Sequence, residues 1–275
     1  MAVTTKLSPF APAQMPAMPT VAGVRFGAAE AGIKYQGRKD LMLASLDEGT
    51  VAAGTTTKSK TCSAPVLWCR DQLAHGRARA LVVNSGNANA FTGKKGSEAV
   101  EITARAAADA AGCAPEDVYI ASTGVIGEPL DASSFAAKLA ALAPTATPEN
   151  WQDAAQAIMT TDTFPKLSAR QVDVGGARIS IAGFAKGSGM IAPDMATMLS
   201  FIFTDADIDQ SVLQQMTSAS VAKTFNCITV DSDTSTSDTV LVFATGKAQG
   251  APRIANASSP EAEAFREALH AVLHD

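Results

Sequence analysis

The sequence predicts an α/β fold, shading into α+β, in which layered sheets are covered by helices, and three observations predict it. Strand-length apolar runs alternate along the chain with longer windows of helical composition. Residues 171–182 alternate around Gly175-Gly176, the pattern of a hairpin. With 275 residues, 47% of them hydrophobic and 18% charged, the chain can bury a real core in one large domain or two modest ones. Only 5% of residues are aromatic while Ala, Val, Ile and Leu abound, so an aliphatic core is expected.

The elements follow in order. Pro9, Pro12, Pro16 and Pro19 fix extended geometry in an arm that runs to about Thr20. Apolar runs at 41–46, 80–83 and 118–121 read as strands. Residues 97–111, rich in Ala and Glu, read as a helix that stops at Gly112, because glycine readily takes the left-handed conformation that ends helices. Windows 132–142 and 151–159 are also helical in pattern. Beyond the hairpin, 199–203 is a strand of central character, 208–223 a helix and 239–245 a strand. Ser259-Pro260-Glu261 starts a last helix, with a capping serine, proline in the first turn and acids near the positive end of the dipole. Its apolar stripe, Phe265, Leu269 and Leu273, needs a surface to pack on. It stops at Asp275 with neither glycine nor cap, so the sequence reads as a fragment, short at its C-terminal end.

Composition excludes several classes. A net charge of -5 without a basic cluster argues against nucleic acid. Apolar runs fall far short of the ~20 residues a membrane span needs. The proline-broken start does not read as a signal peptide, which makes the cytoplasm the expected location. Cys62, Cys69, Cys113 and Cys227 show no CxxC pair or metal-ligand spacing, so they read as buried free thiols. His270 and His274 stand i, i+4 on the last helix, but without a third ligand an exposed helical face is the simpler reading. No metal is expected.

The stretch with most chemical content is KGSGMIAPDMATMLS, residues 186–200. Gly187 and Gly189 permit unusual backbone angles, Pro193 stiffens the approach to Ala196, and Thr197 opens the apolar run 199–203. A threonine so placed can attack the preceding carbonyl, shift the acyl group from nitrogen to oxygen, and be freed by hydrolysis as a new N-terminus. Its α-amine, with an ordinary pKa of about 8, can then act as general base for its own hydroxyl. Three scattered histidines leave little material for a Ser-His-Asp triad, and an N-terminal nucleophile needs none. Taken alone, a glycine-rich turn before a strand explains the same residues, because such a loop is a weak motif. ASTGVIG, residues 121–127, follows a strand run, where a hydroxyl and a bare N–H can converge as an oxyanion hole worth roughly 3 kcal/mol per donor. An ordinary glycine turn is the simpler reading of that segment alone. The polar loop NSGNANA, residues 84–90, can line a site or only build a turn.

Together, GRKDLML, NSGNANAFTG, STGVIG, MTTDT, KGSGMIAPDMATMLSFIFTDA and TFNCITVDSDTSTSDTVLVFATG resemble the ornithine acetyltransferase, or glutamate N-acetyltransferase, family. They occur in the family order, and the resemblance spans roughly residues 23–246. It implies an N-terminal-nucleophile-like, two-layered fold. It implies self-cleavage between Ala196 and Thr197, giving an α chain of residues 1–196 and a β chain from 197 to 275.

Thr197 is then the nucleophile. It accepts acetyl from N2-acetyl-L-ornithine and passes it to L-glutamate in a ping-pong cycle of arginine biosynthesis. Thr123 and Gly124 match the family's oxyanion-hole pair, and Thr160, Lys186 and Thr197 match substrate-contacting positions. An ammonium at Lys186 suits substrates that carry carboxylates. The resemblance further implies an α2β2 assembly in the cytoplasm and no cofactor. Acetyl-CoA serves some members as an acetyl source, and nothing in this sequence decides that.

Two departures stand out. Asp194 occupies a position where asparagine is common in the family, and relatives continue beyond Asp275 into a region that supplies an acid and an amide for substrate contact. A self-processed aminopeptidase or amidase, or an inactive truncated homologue, are the alternatives. Glutamate stimulates ornithine release only in the acetyltransferase.

Overall fold

The computed structural model describes residues 7–191 and 198–275. Asp194, Ala196 and Thr197 therefore lie outside the described residues. One sheet holds β1 (Val24–Ala29), β2 (Leu41–Leu46), β4 (Ala80–Asn87) and β5 (Val118–Val125), ordered β1-β2-β4-β5. The other holds β3 (Val51–Thr56), β9 (Thr239–Ala244), β8 (Leu199–Thr204), β7 (Ala177–Lys186) and β6 (Lys166–Val174), ordered β3-β9-β8-β7-β6. Two pairs are parallel, β4 with β5 and β8 with β9. Each is joined by a crossover helix, α2 (Gly93–Ala111) in the first and α5 (Gln210–Val221) in the second. A parallel connection requires such a crossover.

Period-two alternation sorts the side chains into layers. Leu199, Phe201 and Phe203 of β8 face the space between the sheets, with Met42, Leu81, Tyr119, Phe184 and Phe243. Ile202 of β8 faces outward to α5 and to α6 (Pro260–His274), with Val240, Val242 and Ile181. On the opposite side, α2 and α3 (Ser133–Leu142) cover Leu41, Leu43, Val82 and Ile120. The two-layered expectation is therefore met by two sheets, with helices adding an outer layer to each.

The core is not simply aliphatic. The few aromatic residues are concentrated between the sheets, where Phe26 lies 5.0 Å from Phe203 and Phe203 lies 5.4 Å from Phe243, ring centre to ring centre. The helix α4 (Trp151–Ala157) brings Trp151 into the same cluster, 4.4 Å from Phe26. Overall composition missed this, because a small aromatic count placed on inward positions still fills the centre.

Most expected elements are present, several of them longer than their apolar runs. Gly175 and Gly176 form the hairpin turn with φ of 61° and 85°, and Gly112 ends α2 at φ 63°. The Ser259 hydroxyl accepts from the Ala262 amide at 3.2 Å, as a cap should. The stripe of α6, Phe265, Leu269 and Leu273, packs on the outer face of the second sheet. Of the four thiols only Cys69 is buried. Cys62 and Cys113 are half-buried, and Cys227 is exposed in the turn after α5, which corrects the expectation of buried thiols. The strands β1 and β3 and the helix α1 (Ala64–Leu73) carry too few distinctive residues to be read from the sequence.

Candidate active site

β8 is the middle strand of its sheet, with Lys186 at the end of β7 paired to Leu199 on one side and Thr239 of β9 paired to Leu199 on the other. The chain enters β8 between Lys186 and Asp238, and both side chains are buried. Asp238 Oδ1 accepts from the Met198 amide at 2.7 Å, and the Thr239 amide donates to the Met198 carbonyl at 3.0 Å. Burial pushes the Asp238 acid up to about 7. The Met198 amide, the charge of Lys186 and the nearby hydroxyls of Thr57 and Ser235 pull it back only in part. The Thr57 hydroxyl is spent on the Ser235 carbonyl at 2.8 Å, and Asp238 Oδ2 has no hydrogen-bond partner among the described residues.

Two further carboxylates fix the approach to this entry. Asp231 accepts from the amides of Met190 at 2.6 Å and Ile191 at 2.8 Å, and these bonds hold it below the usual carboxylate range. The Val230 amide returns a bond to the Ile191 carbonyl at 2.7 Å. Asp162 accepts from the Gly187 amide at 2.8 Å and pairs with Lys166 at 2.6 Å. Burial alone would raise the Asp162 acid, but Lys166, Lys186 and the bonds from Lys166 and Gly187 hold it low. The carboxylates of Asp162, Asp231 and Asp238 thus clamp backbone amides on both sides of residues 192–197. Sequence reasoning did not single them out, although they lie within MTTDT and TVDSDTSTSD.

Lys186 donates to the Thr160 hydroxyl at 3.3 Å, so the structure brings these two expected substrate contacts together. Burial lowers the Lys186 ammonium to about 8 against the pull of Asp162 and Asp238. Thr123 and Gly124 stand at the end of β5 in the other sheet, and no hydrogen bond joins them to Lys186 or Thr160 among the described residues. Gly124, at φ 133°, lies against the bulged end of β4, where an added Cβ would come within 2.3 Å of the Gly86 carbonyl carbon. The loop 84–90 is tightly built: Ser122 donates to Asn84 Oδ1 at 2.6 Å, and Asn84 donates to the Asn87 carbonyl at 2.9 Å.

Backbone and side-chain bonds draw the ends of the two sheets toward one another. The Ser85 hydroxyl donates to the Ala157 carbonyl at 2.7 Å, three residues before Thr160. The Ser63 amide donates to the Thr236 carbonyl at 2.8 Å, and the Ala64 amide to the Asn89 carbonyl at 3.3 Å. A buried lysine and a buried acid flanking one strand start mark it as a candidate functional site.

This layered arrangement is shared with the L-aminopeptidase D-Ala-esterase/amidase of Ochrobactrum anthropi, described as a variant of the Ntn hydrolase fold. The TM-score is 0.55 at 13% identity, over 96% of this chain and 87% of that one. The fold is therefore of the Ntn hydrolase class, a likeness of architecture alone. Residues 25–275 match the model described as the ArgJ family, and the chain belongs to that family. It is 58% identical over 279 residues to the arginine biosynthesis bifunctional protein ArgJ of Nitrobacter winogradskyi, covering 99% of this chain and 67% of that protein. The chain thus spans about two thirds of the length of the curated relatives it matches. The ornithine acetyltransferase of Mycobacterium tuberculosis, solved with ornithine, has a TM-score of 0.55 at 34% identity, over 63% of this chain and 92% of that one.

Proposed function

We propose that the chain carries the acetyl-transferring site of an ornithine acetyltransferase. In this reading Thr197 takes acetyl from N2-acetyl-L-ornithine, releases ornithine and delivers the acetyl group to L-glutamate. The observation that carries it is the entry to β8, with buried Lys186 on one side and buried Asp238 on the other, in a chain of the ArgJ family. Cleavage between Ala196 and Thr197 divides the chain into residues 1–196 and 197–275 and frees the threonine amine as general base. Relative lengths support this division. The chain fills only 67% of a curated relative, yet 63% of it already fills 92% of the solved Mycobacterium chain, which is therefore far shorter than a full-length relative.

In the acyl step the Thr197 hydroxyl loses its proton to the α-amine and bonds to the acetyl carbon, and ornithine leaves as the amine. Thr123 and Gly124 supply donors for the oxyanion. Lys186, in contact with the Thr160 hydroxyl, pairs with the substrate carboxylate. The proposed setting is an α2β2 enzyme of the cytoplasm without a cofactor. Among the described residues no helix is long and apolar enough to cross a membrane.

The test measures ornithine released from N-acetylornithine with and without glutamate. Glutamate-dependent release together with N-acetylglutamate is expected. Release of acetate at the same rate without glutamate would overturn the reading in favour of an amidase. Replacing N-acetylornithine by acetyl-CoA in the same assay decides whether that donor is used.

A further inference from the structure

The motif GRKDLML places Arg38 in the loop between β1 and β2. Buried Asp40 fixes that loop by accepting from the amides of Ala31 at 2.5 Å and Ile33 at 2.7 Å. Tyr35 of the loop lies against Gly86, where an added Cβ would come within 3.3 Å of its ring, and Gly86 in turn lies against Gly124. The Arg38 guanidinium sits 4.5 Å over the centre of the Tyr35 ring and donates to the carbonyl of Met159, the residue before Thr160. Arg38 therefore stands between the Gly124 end of β5 and the Thr160–Lys186 pair. Its neighbouring cations are paired, Lys34 with Glu128 at 2.8 Å and Lys39 with Asp153, whereas no carboxylate pairs with Arg38 among the described residues.

A guanidinium carries five N–H donors, and Met159 takes one bond from this half-buried side chain. Held in place with donors to spare, such a group suits a carboxylate, which it meets with two parallel bonds. In the proposed function N-acetylornithine brings one carboxylate and glutamate brings two. The two carboxyl carbons of glutamate are four C–C bonds apart, roughly 5 Å when extended. The Met159 carbonyl and the Thr160 hydroxyl, to which Arg38 and Lys186 are bonded, belong to adjacent residues with Cα atoms about 3.8 Å apart, a comparable span. We propose that Arg38 is a specificity-determining residue that selects glutamate as acetyl acceptor by pairing with its second carboxylate. Lys186 and Thr160 take the carboxylate common to both substrates. The far end of ornithine is an ammonium, which gains nothing from a guanidinium, so the contribution of Arg38 falls on the acceptor half of the cycle. The assignment rests on the acetyltransferase reading.

The test compares glutamate with glutamine, which lacks the second carboxylate, as acceptors for the wild-type chain, Arg38→Gln and Arg38→Lys, with thermal unfolding of each. Wild type should prefer glutamate. Arg38→Gln should raise KM for glutamate by roughly 10- to 100-fold, the scale of a lost charge-assisted contact, and bring it close to that for glutamine. KM for N-acetylornithine should move far less. Arg38→Lys keeps the charge without the fork, so its preference for glutamate should lie between the other two. An equal loss with glutamate and glutamine overturns the assignment, because it makes Arg38 a strut for Met159 that serves both acceptors alike. An unchanged KM for glutamate in Arg38→Gln overturns it as well. If Arg38→Gln does not fold, Arg38→Lys decides: a wild-type preference for glutamate in that chain overturns the assignment. A wild-type chain that releases ornithine at the same rate with and without glutamate is a separate result: it removes the acetyltransferase reading, and the assignment falls with it.

Discussion

The carboxylate of Asp238 accepts a hydrogen bond at 2.7 Å from the backbone amide of Met198, so the residue that follows Thr197 is held by a buried acid. A surface loop would give the same amide to water. Here the bond sets where β8 begins, and the strand start is the place the sequence marks for chemistry.

That acid makes stability depend on pH. Its folded value of about 7 lies above the ordinary aspartate value of 3.8, so the folded protein binds the proton more tightly than the unfolded chain does. The associated stability is fully present below 3.8 and is lost as pH rises through about 7. Asp238→Asn carries no such charge. Its melting temperature relative to wild type should therefore climb between pH 5 and pH 8, and a difference independent of pH would contradict the assignment.

Thr197→Ala should leave a single uncut chain by intact mass and abolish acetyl transfer, because the proposed function makes its hydroxyl the attacking group in both reactions. If the variant still yields fragments ending at residue 196, the nucleophile is another residue.

Lys186→Met should raise KM for N-acetylornithine and for glutamate by roughly 10- to 100-fold, as expected for loss of a charge-assisted contact. Because burial lowers the Lys186 ammonium to about 8, wild-type KM should also rise above that pH while the methionine variant stays flat. Steady-state kinetics across pH 6.5 to 9.5 checks both. Equal KM values for wild type and variant would remove Lys186 from substrate binding.

Gly124→Ala should destabilise the fold on the order of 1–3 kcal/mol, since the residue would have to adopt φ 133° with its Cβ 2.3 Å from the Gly86 carbonyl carbon. Urea unfolding reads the loss directly, and an unchanged midpoint would mean that the ends of β4 and β5 separate at no cost.

Much of this was legible in the sequence where the signal is local. Ser259 and Pro260 start α6, Gly112 stops α2, and Gly175-Gly176 turns the hairpin, each through the backbone preferences of the residues concerned. The ordered motifs reach the family, and Thr160 and Lys186, both within those motifs, are joined by a hydrogen bond that the sequence did not foretell. The strands β1 and β3 were missed, because six residues such as those of Val51–Thr56 gain their strand character from pairing with β9 rather than from any pattern of their own.

By itself the sequence determined the mixed class, the caps and turns, the family and the candidate nucleophile at Thr197, since these rest on local conformational preference and motif order. Only the tertiary structure decided that Phe26, Trp151 and Phe203 share one core. It also decided that Asp162, Asp231 and Asp238 grip amides on either side of residues 192–197. Asp238 is 40 positions from Met198 along the chain. Contacts of that span are set by which strands lie side by side, and the protonation of a buried acid is set by what surrounds it in space.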